Sequence, residues 1–333
     1  MRKYYVITSG SAIHESLLGI ESGITDNVEL YYPSFKITNS LLKAVFYVCF
    51  SNRFSWLFSW INKNAWFAYH VLEYIDFDDN YENIVVLAPG LKIDREINKE
   101  YLIKFKTERK CKFVLLLFDS LDFKSNGGWN SISDCFDIFD VVMTFDDNDA
   151  QKYGINHFSL PLDICANEGQ RDIQTDLFFV GYNKKRSHLI ENLYDRACMN
   201  GLKCDFNVID RKKAVLSFFL KNKDIYKTRR ICYRQVLKQI MQSNCILEVL
   251  CEGQKTSSLR YLEAVILNKK IITNNKNVKA MPLYNEEYVR YFEKIDDIDF
   301  DWIKTRENID FNYQNEFSVR HLFDRLDRIL DRN

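Results

Sequence analysis

The 333-residue chain has no net formal charge, its 46 lysines and arginines balancing 46 aspartates and glutamates. A global field able to gather nucleic acid is thereby excluded, and any anion site has to be built locally. Its nine cysteines include no CxxC pair and no neighbouring histidine pair. That pattern indicates neither a zinc site nor a disulfide framework, but the reduced, partly buried thiols of a cytosolic protein. Nowhere do about eighteen apolar residues run together, so a membrane-spanning helix is not expected. The opening MRKYYVITSG lacks the apolar core of a signal peptide before Ser9–Gly10–Ser11, and secretion is not expected either. Internal repeats and low-complexity tracts are absent.

What is present is a globular composition, 47% hydrophobic and 15% aromatic, long enough for two domains with separate cores. Tyr4–Thr8 reads as a strand that ends in the Ser-Gly-Ser turn and leads into a helix-like segment carrying His14 and Glu15. Val28–Tyr32, Asn83–Ala88, Lys112–Phe118 and Val141–Phe145 are further strands, separated by segments of helical length such as Glu100–Arg109. Alternating β and α implies a parallel sheet.

Between the second and third strands lies an insertion, Leu41–Leu72, rich in phenylalanine and tryptophan with Lys43, Arg53 and Lys63 interspersed. Such a stretch packs on the sheet, lines an acceptor groove or docks at a membrane interface.

The polar 166–175 segment marks a boundary between an N-terminal domain, 1–165, and a C-terminal domain, 176–333. Beyond it the pattern restarts with strand Asp176–Val180, Gly181, helix Arg186–Asn200 and strand Lys203–Val208; helix Arg230–Gln242 follows. The tail Ser318–Leu330 is amphipathic, with Leu322, Leu326, Ile329 and Leu330 on one side. The fold class expected is α/β, two Rossmann-like doubly wound domains facing a central cleft.

The segment Ser243–Asn275 concentrates the chemistry. A strand, Cys245–Leu250, is followed by a polar turn, an amphipathic helix over Ser258–Leu267 and a strand, Lys270–Thr273. Thr256, Ser257 and Ser258 are N-cap candidates, and a helix starting there aims free N–H groups at a phosphate. Arg260 falls in its first turn. Glu263 lies one turn further on, where a carboxylate can accept from sugar hydroxyls, although an exposed helix carboxylate has the same spacing.

DLFFVGYNKKR at Asp176–Arg186 and GQKTSSLRYLEAVILNKKIITNN at Gly253–Asn275 resemble the bacterial GT-B nucleotide-sugar glycosyltransferases that build lipopolysaccharide and capsule. The N-terminal half agrees only in its βα alternation. The resemblance implies donor-diphosphate contacts from Gly181, Lys184, Lys185 and Arg186, and from Gln254, Thr256, Ser257, Ser258, Leu259 and Arg260, with Glu263 on the nucleotide ribose. Cationic side chains suit the two phosphates.

Many retaining members carry two glutamates separated by seven residues; here the position matching the first is Lys255, with Glu248 and Glu252 nearby. An inverting reaction is therefore favoured, and it needs a base from the N-terminal domain. His14, placed as histidine bases are in some inverting members, and Asp119, at the end of the FVLLLF strand, are the candidates; a capping role is the alternative for both. Asp147–Asn148–Asp149 has the Asp-x-Asp form that holds a metal in GT-A enzymes, but its position after a strand favours the start of a helix. No metal and no cofactor beyond the sugar donor is expected.

The implied activity is sugar transfer to a growing surface glycan, which can be lipid-linked, in the cytoplasm or peripherally at the inner face of the membrane. The implied partners are a nucleotide sugar and a glycan, not nucleic acid. The rivals are a nucleotide-sugar epimerase on the same fold and a non-catalytic nucleotide-sugar-binding subunit of an assembly complex.

Overall fold

A computed structural model describes residues 1–8, 27–32, 35–50, 63–88, 99–118, 121, 133–164, 172–220, 224–251 and 258–332, with the side chains of 63, 64 and 217–220 excepted. The chain forms two compact units, Met1–Asp163 with Phe317–Asn333, and Ile164–Glu316.

The first unit is built on a six-stranded parallel sheet. Its strands are β1 (Arg2–Ile7), β2 (Val28–Tyr31), β3 (Glu82–Leu87), β4 (Lys112–Leu117), β5 (Val141–Thr144) and β6 (Asn156–His157), in the order β2-β1-β3-β4-β5-β6. Its described helices are α1 (Ser40–Cys49), α2 (Lys99–Arg109) and α3 (Asp147–Tyr153).

Successive strand residues point to opposite faces, and each face has its own cover. Tyr5, Ile7, Val85, Leu87, Phe113 and Leu115 meet Val71, Leu72 and the α2 residues Leu102 and Phe105. Tyr4, Val6, Ile84, Val86, Val114 and Leu116 meet Val319, Leu322, Phe323, Leu326 and Leu330 from the C-terminal helix, Val319–Leu330.

The limit of the second domain, expected at 333, is corrected by this packing. The C-terminal amphipathic helix belongs to the first unit because its apolar stripe closes the second face of that sheet. Arg2 fastens it, with Nη1 on Asp327 at 3.0 Å and Nη2 on Asp331 at 2.7 Å. Leu162 N–H adds a 2.8 Å bond to Phe317 O.

The aromatic insertion divides. Phe46, Cys49, Phe50 and Trp66 form a satellite cluster with Phe35, Ile37 and Tyr69, while Val71 and Leu72 join the main core. Residues 51–62 lie outside the described set.

The second unit has strands β7 (Thr175–Tyr182), β8 (Cys204–Ile209), β9 (Tyr226–Lys227), β10 (Ser243–Glu248), β11 (Lys270–Thr273) and β12 (Val289–Tyr291). They are all parallel, in the order β12-β11-β10-β7-β8-β9. Helices α4 (Ser187–Met199), α5 (Arg211–Leu220), α6 (Tyr233–Met241), α7 (Leu259–Ile266) and α8 (Phe300–Lys304) connect and flank them, and the C-terminal Val319–Leu330 is α9. Ile190, Leu193 and Ala197 of α4 and Phe300 and Ile303 of α8 cover one face of the sheet, against Leu177, Phe179, Cys245 and Leu247. Helices α6 and α7 pack against β10.

Counted from β7, the strand order is 3-2-1-4-5-6, that of a Rossmann unit; both units are Rossmann-like, doubly wound α/β structures. No described helix is long and apolar enough to cross a membrane.

Candidate functional site

In an open parallel sheet, ligands bind beyond the carboxyl ends of the strands where the order reverses. In the second unit that point lies between β7 and β10, paired through Cys245 and Leu177 and through Ile246 and Phe178.

The turn that leaves β7 is closed by Arg186 N–H donating to Asn183 O at 2.9 Å. Its two central residues, Lys184 and Lys185, have φ of 40° and 67°. Left-handed backbone at two consecutive side-chain-bearing residues disfavours the turn by roughly 1–2 kcal/mol each, where Asn-Gly would relieve it. Strain of this kind is held at places where the side chains have work to do.

Arg186 fastens the turn across the switch point. Its Nε and Nη2 donate to Tyr182 O at 3.1 and 3.0 Å, and its Nη1 donates to Val249 O just beyond β10. The guanidinium lies over the Phe179 ring, 5.7 Å from its centre. Gly181 makes room for it, since a Cβ there would stand 2.8 Å from Arg186 Nη2 and 3.3 Å from the Phe179 ring. The expected role of Gly181 beside a diphosphate is thus accompanied by a structural one. Asn183 Nδ2 also donates to Asp210 Oδ2 at 2.6 Å, tying the same turn to the end of β8.

On the β10 side the organising group is Glu248, at the strand end and 1% exposed. Its Oε1 accepts from the Ser258 N–H at 2.8 Å and the Ser258 hydroxyl at 2.7 Å, and its Oε2 accepts from the Thr273 hydroxyl at 2.6 Å. Ser258 is the N-cap of α7, its Oγ accepting from Arg260 N–H at 3.2 Å. A buried carboxylate therefore sets where α7 begins. Burial pushes the Glu248 pKa up, opposed by the Thr273 and Ser258 bonds.

Glu263, one turn into α7, is fully buried rather than exposed, and Arg260 Nη1 pairs with its Oε2. Burial raises its pKa, the Arg260 charge opposes that, and the neighbouring Glu248 charge pushes it further up. Glu263 Oε1 has no hydrogen-bond partner. Tyr233 of α6 approaches the carboxylate, but its hydroxyl completes no bond of ordinary geometry. Orphaned buried polar atoms of this kind are uncommon in folded proteins.

Gly181, Lys184, Arg186, Ser258, Leu259, Arg260 and Glu263 thus fall on the two segments that meet at the switch point, β7 with its turn and the start of α7. His14, Asp119, Gln254, Thr256 and Ser257 lie outside the described residues, as do Glu15, Glu252 and Lys255. Sequence reasoning underrated Glu248 and missed Tyr233. The signal for Glu248 was a lone acid ending the apolar CILE run. Tyr233 carried none, because its place beside Glu263 comes from α6 and α7 packing on one strand.

Asp147–Asn148–Asp149 opens α3. Asp146, one residue earlier, is its N-cap, accepting from Asn148 and Asp149 N–H at 2.9 and 3.2 Å. Asp149 is buried and accepts from Leu121 N–H at 2.6 Å.

The chain matches no protein-family model and no curated protein. Among solved structures, a chain of the glycosylation-associated protein Gap123 complex from Streptococcus agalactiae overlaps 75% of this chain at a TM-score of 0.37 and 9% identity; this chain spans about half, 54%, of that one's length. T4 phage BGT, solved in complex with its UDP-glucose substrate, overlaps 98% of this chain and 95% of its own at a TM-score of 0.47 and 11% identity.

Proposed function

We propose that the chain is a GT-B glycosyltransferase that takes its nucleotide diphosphate sugar at the carboxyl ends of β7 and β10. The observation that carries the reading is one continuous bonded network at the Rossmann switch point. It runs from the strained Lys184–Lys185 turn through Arg186 to Val249, and from Glu248 through Ser258 to Arg260 and Glu263. A diphosphate needs cations and free N–H groups, and a ribose needs a fixed acceptor. This network offers both, on two elements locked to each other.

In this reading Lys184, Lys185 and Arg186 lie beside the diphosphate together with Gln254, Thr256, Ser257 and the α7 start, and Glu263 Oε1 takes its missing partner from the ribose. The reaction is inverting. The acceptor hydroxyl oxygen bonds to C1 of the sugar, the bond from C1 to the diphosphate oxygen breaks, and the hydroxyl proton passes to a base, His14 or Asp119. The departing diphosphate carries the electron pair, and the cations of the β7 turn stabilise its growing charge without a metal ion. The acceptor is a growing surface glycan, carried on a lipid at the cytoplasmic face of the membrane.

Thermal stabilisation by nucleoside diphosphates and nucleotide sugars tests the donor site, with UDP and UDP-glucose as the first ligands. A ligand that binds only the folded state at about 100 times its Kd adds about 2.7 kcal/mol of stability. The reading expects a shift with one nucleotide base that survives EDTA and is lost in Glu263→Ala. A shift abolished by EDTA contradicts metal-independent binding, and no shift with any nucleotide contradicts the reading as a whole. Release of nucleoside diphosphate only when an acceptor is supplied separates transfer from epimerisation.

A further inference from the structure

We infer that α1 is an interfacial helix that docks the first unit onto an anionic lipid bilayer. Its sequence, SLLKAVFYVC, has a single charged residue, Lys43. One side is spent on the satellite cluster, where Phe46 and Cys49 pack with Phe50, Trp66 and Phe35. The opposite side is also apolar. Leu41, Val45 and Val48, at the i, i+4, i+7 spacing of one stripe, are 74%, 41% and 40% exposed, and Tyr47 beside them is 53% exposed. A helix apolar on both sides has to be covered on both.

The occupant follows from the surrounding charge. From residue 30 to residue 72 the sequence holds no aspartate or glutamate, while Lys36, Lys43, Arg53 and Lys63 fall within it. In a chain whose two charge signs are equal overall, so long an acid-free segment is a local positive field on the helix and its flanks. The same stretch carries three of the five tryptophans, Trp56, Trp60 and Trp66. Apolar stripe, cations and tryptophan together match the acyl, phosphate and boundary layers of an anionic membrane surface. A protein partner would need acids to answer the lysines, and a second copy would bring lysines to lysines.

The inference does not rest on the proposed activity, and its test uses neither donor nor acceptor. The full chain is sedimented with vesicles of phosphatidylcholine, with and without phosphatidylglycerol, at low and high salt. The wild type is expected to sediment with phosphatidylglycerol vesicles and to be released by salt. L41E/V45E is expected to lose binding by about tenfold or more, since two buried apolar side chains are withdrawn from the bilayer. Both positions are exposed, so this variant should retain the wild-type circular dichroism and thermal midpoint; Lys43→Glu, which leaves the stripe intact, should also weaken binding. Absence of wild-type binding, equal binding to neutral vesicles, or unchanged binding in L41E/V45E overturns the inference. Self-association abolished by L41E/V45E without vesicle binding would assign the stripe to a second copy and overturn it as well.

Discussion

Gly181 is not in the left-handed region of backbone space, so alanine at this position meets only a steric objection, and the object it meets is Arg186. To reach ordinary contact, the distance from the new Cβ to Nη2 must rise from 2.8 to at least 3.4 Å, a displacement of about 0.6 Å with the Phe179 ring closing the other side at 3.3 Å. The guanidinium cannot move that far and keep its donors on Tyr182 O and Val249 O. Hydrogen bonds from a charged group are worth about 1.5–3 kcal/mol each, less where water can substitute, so Gly181→Ala should cost about 2 kcal/mol. For a unit of this size that is a fall in Tm of about 4–8 °C. The decisive form is a double-mutant cycle with Arg186→Ala, measured by urea denaturation. Once Arg186 is truncated, the added methyl has open space and its cost should fall to within about 0.5 kcal/mol of zero. Additive costs in the double variant would refute the clearance role of Gly181.

Three further expectations bear on other parts of the molecule. Lys185→Gly relieves a φ of 67° and should stabilise the chain by about 1 kcal/mol in urea while weakening nucleotide binding; weaker folding would show that the turn is not strained. Leu326→Ala opens the α9 face of the first unit and should cost about 2–5 kcal/mol, with hydrogen exchange quickening in β1 and β4 but not in β7 and β10. His70, buried with Nε2 unpartnered, has its pKa pulled down to about 3 by burial. The unfolded chain takes up that proton as pH falls through about 6.5 and the folded chain does not, so stability present above that pH is lost below it by about 1.4 kcal/mol per unit. His70→Phe should flatten this slope between pH 6.5 and 4.5; an unchanged slope would locate acid sensitivity elsewhere.

Both parallel sheets were legible because fully buried strands write continuous apolar runs such as IVVL, FVLLL and CIL, and a run of that kind needs no tertiary information. The two-residue strands β6 and β9 were not, since Asn156–His157 and Tyr226–Lys227 are extended only because a longer neighbour pairs with them. The C-terminal helix was legible as an amphipathic element but not in its allegiance. Which sheet an apolar stripe covers depends on topology, and chain order pointed to the wrong one. At the site, spacing put Ser258, Arg260 and Glu263 on one helix start. The burial of Glu263 was not legible, because the helix sequence LRYLEAVI fixes an apolar surround without saying how deep it lies. Equally hidden was the bridge from Glu248 to Ser258, ten residues apart in sequence and joined only by the fold.

The central claim, a nucleotide diphosphate held between the β7 turn and the α7 start, is tested most directly by hydrogen–deuterium exchange of the wild type and Glu263→Ala with and without saturating UDP or whichever nucleotide stabilises the chain. The account predicts slowed exchange in 181–186 and 258–263 on adding ligand, absent in the variant, with the first unit's β1 to β5 unchanged. Protection confined to the first unit, or protection that persists undiminished in Glu263→Ala, would contradict it.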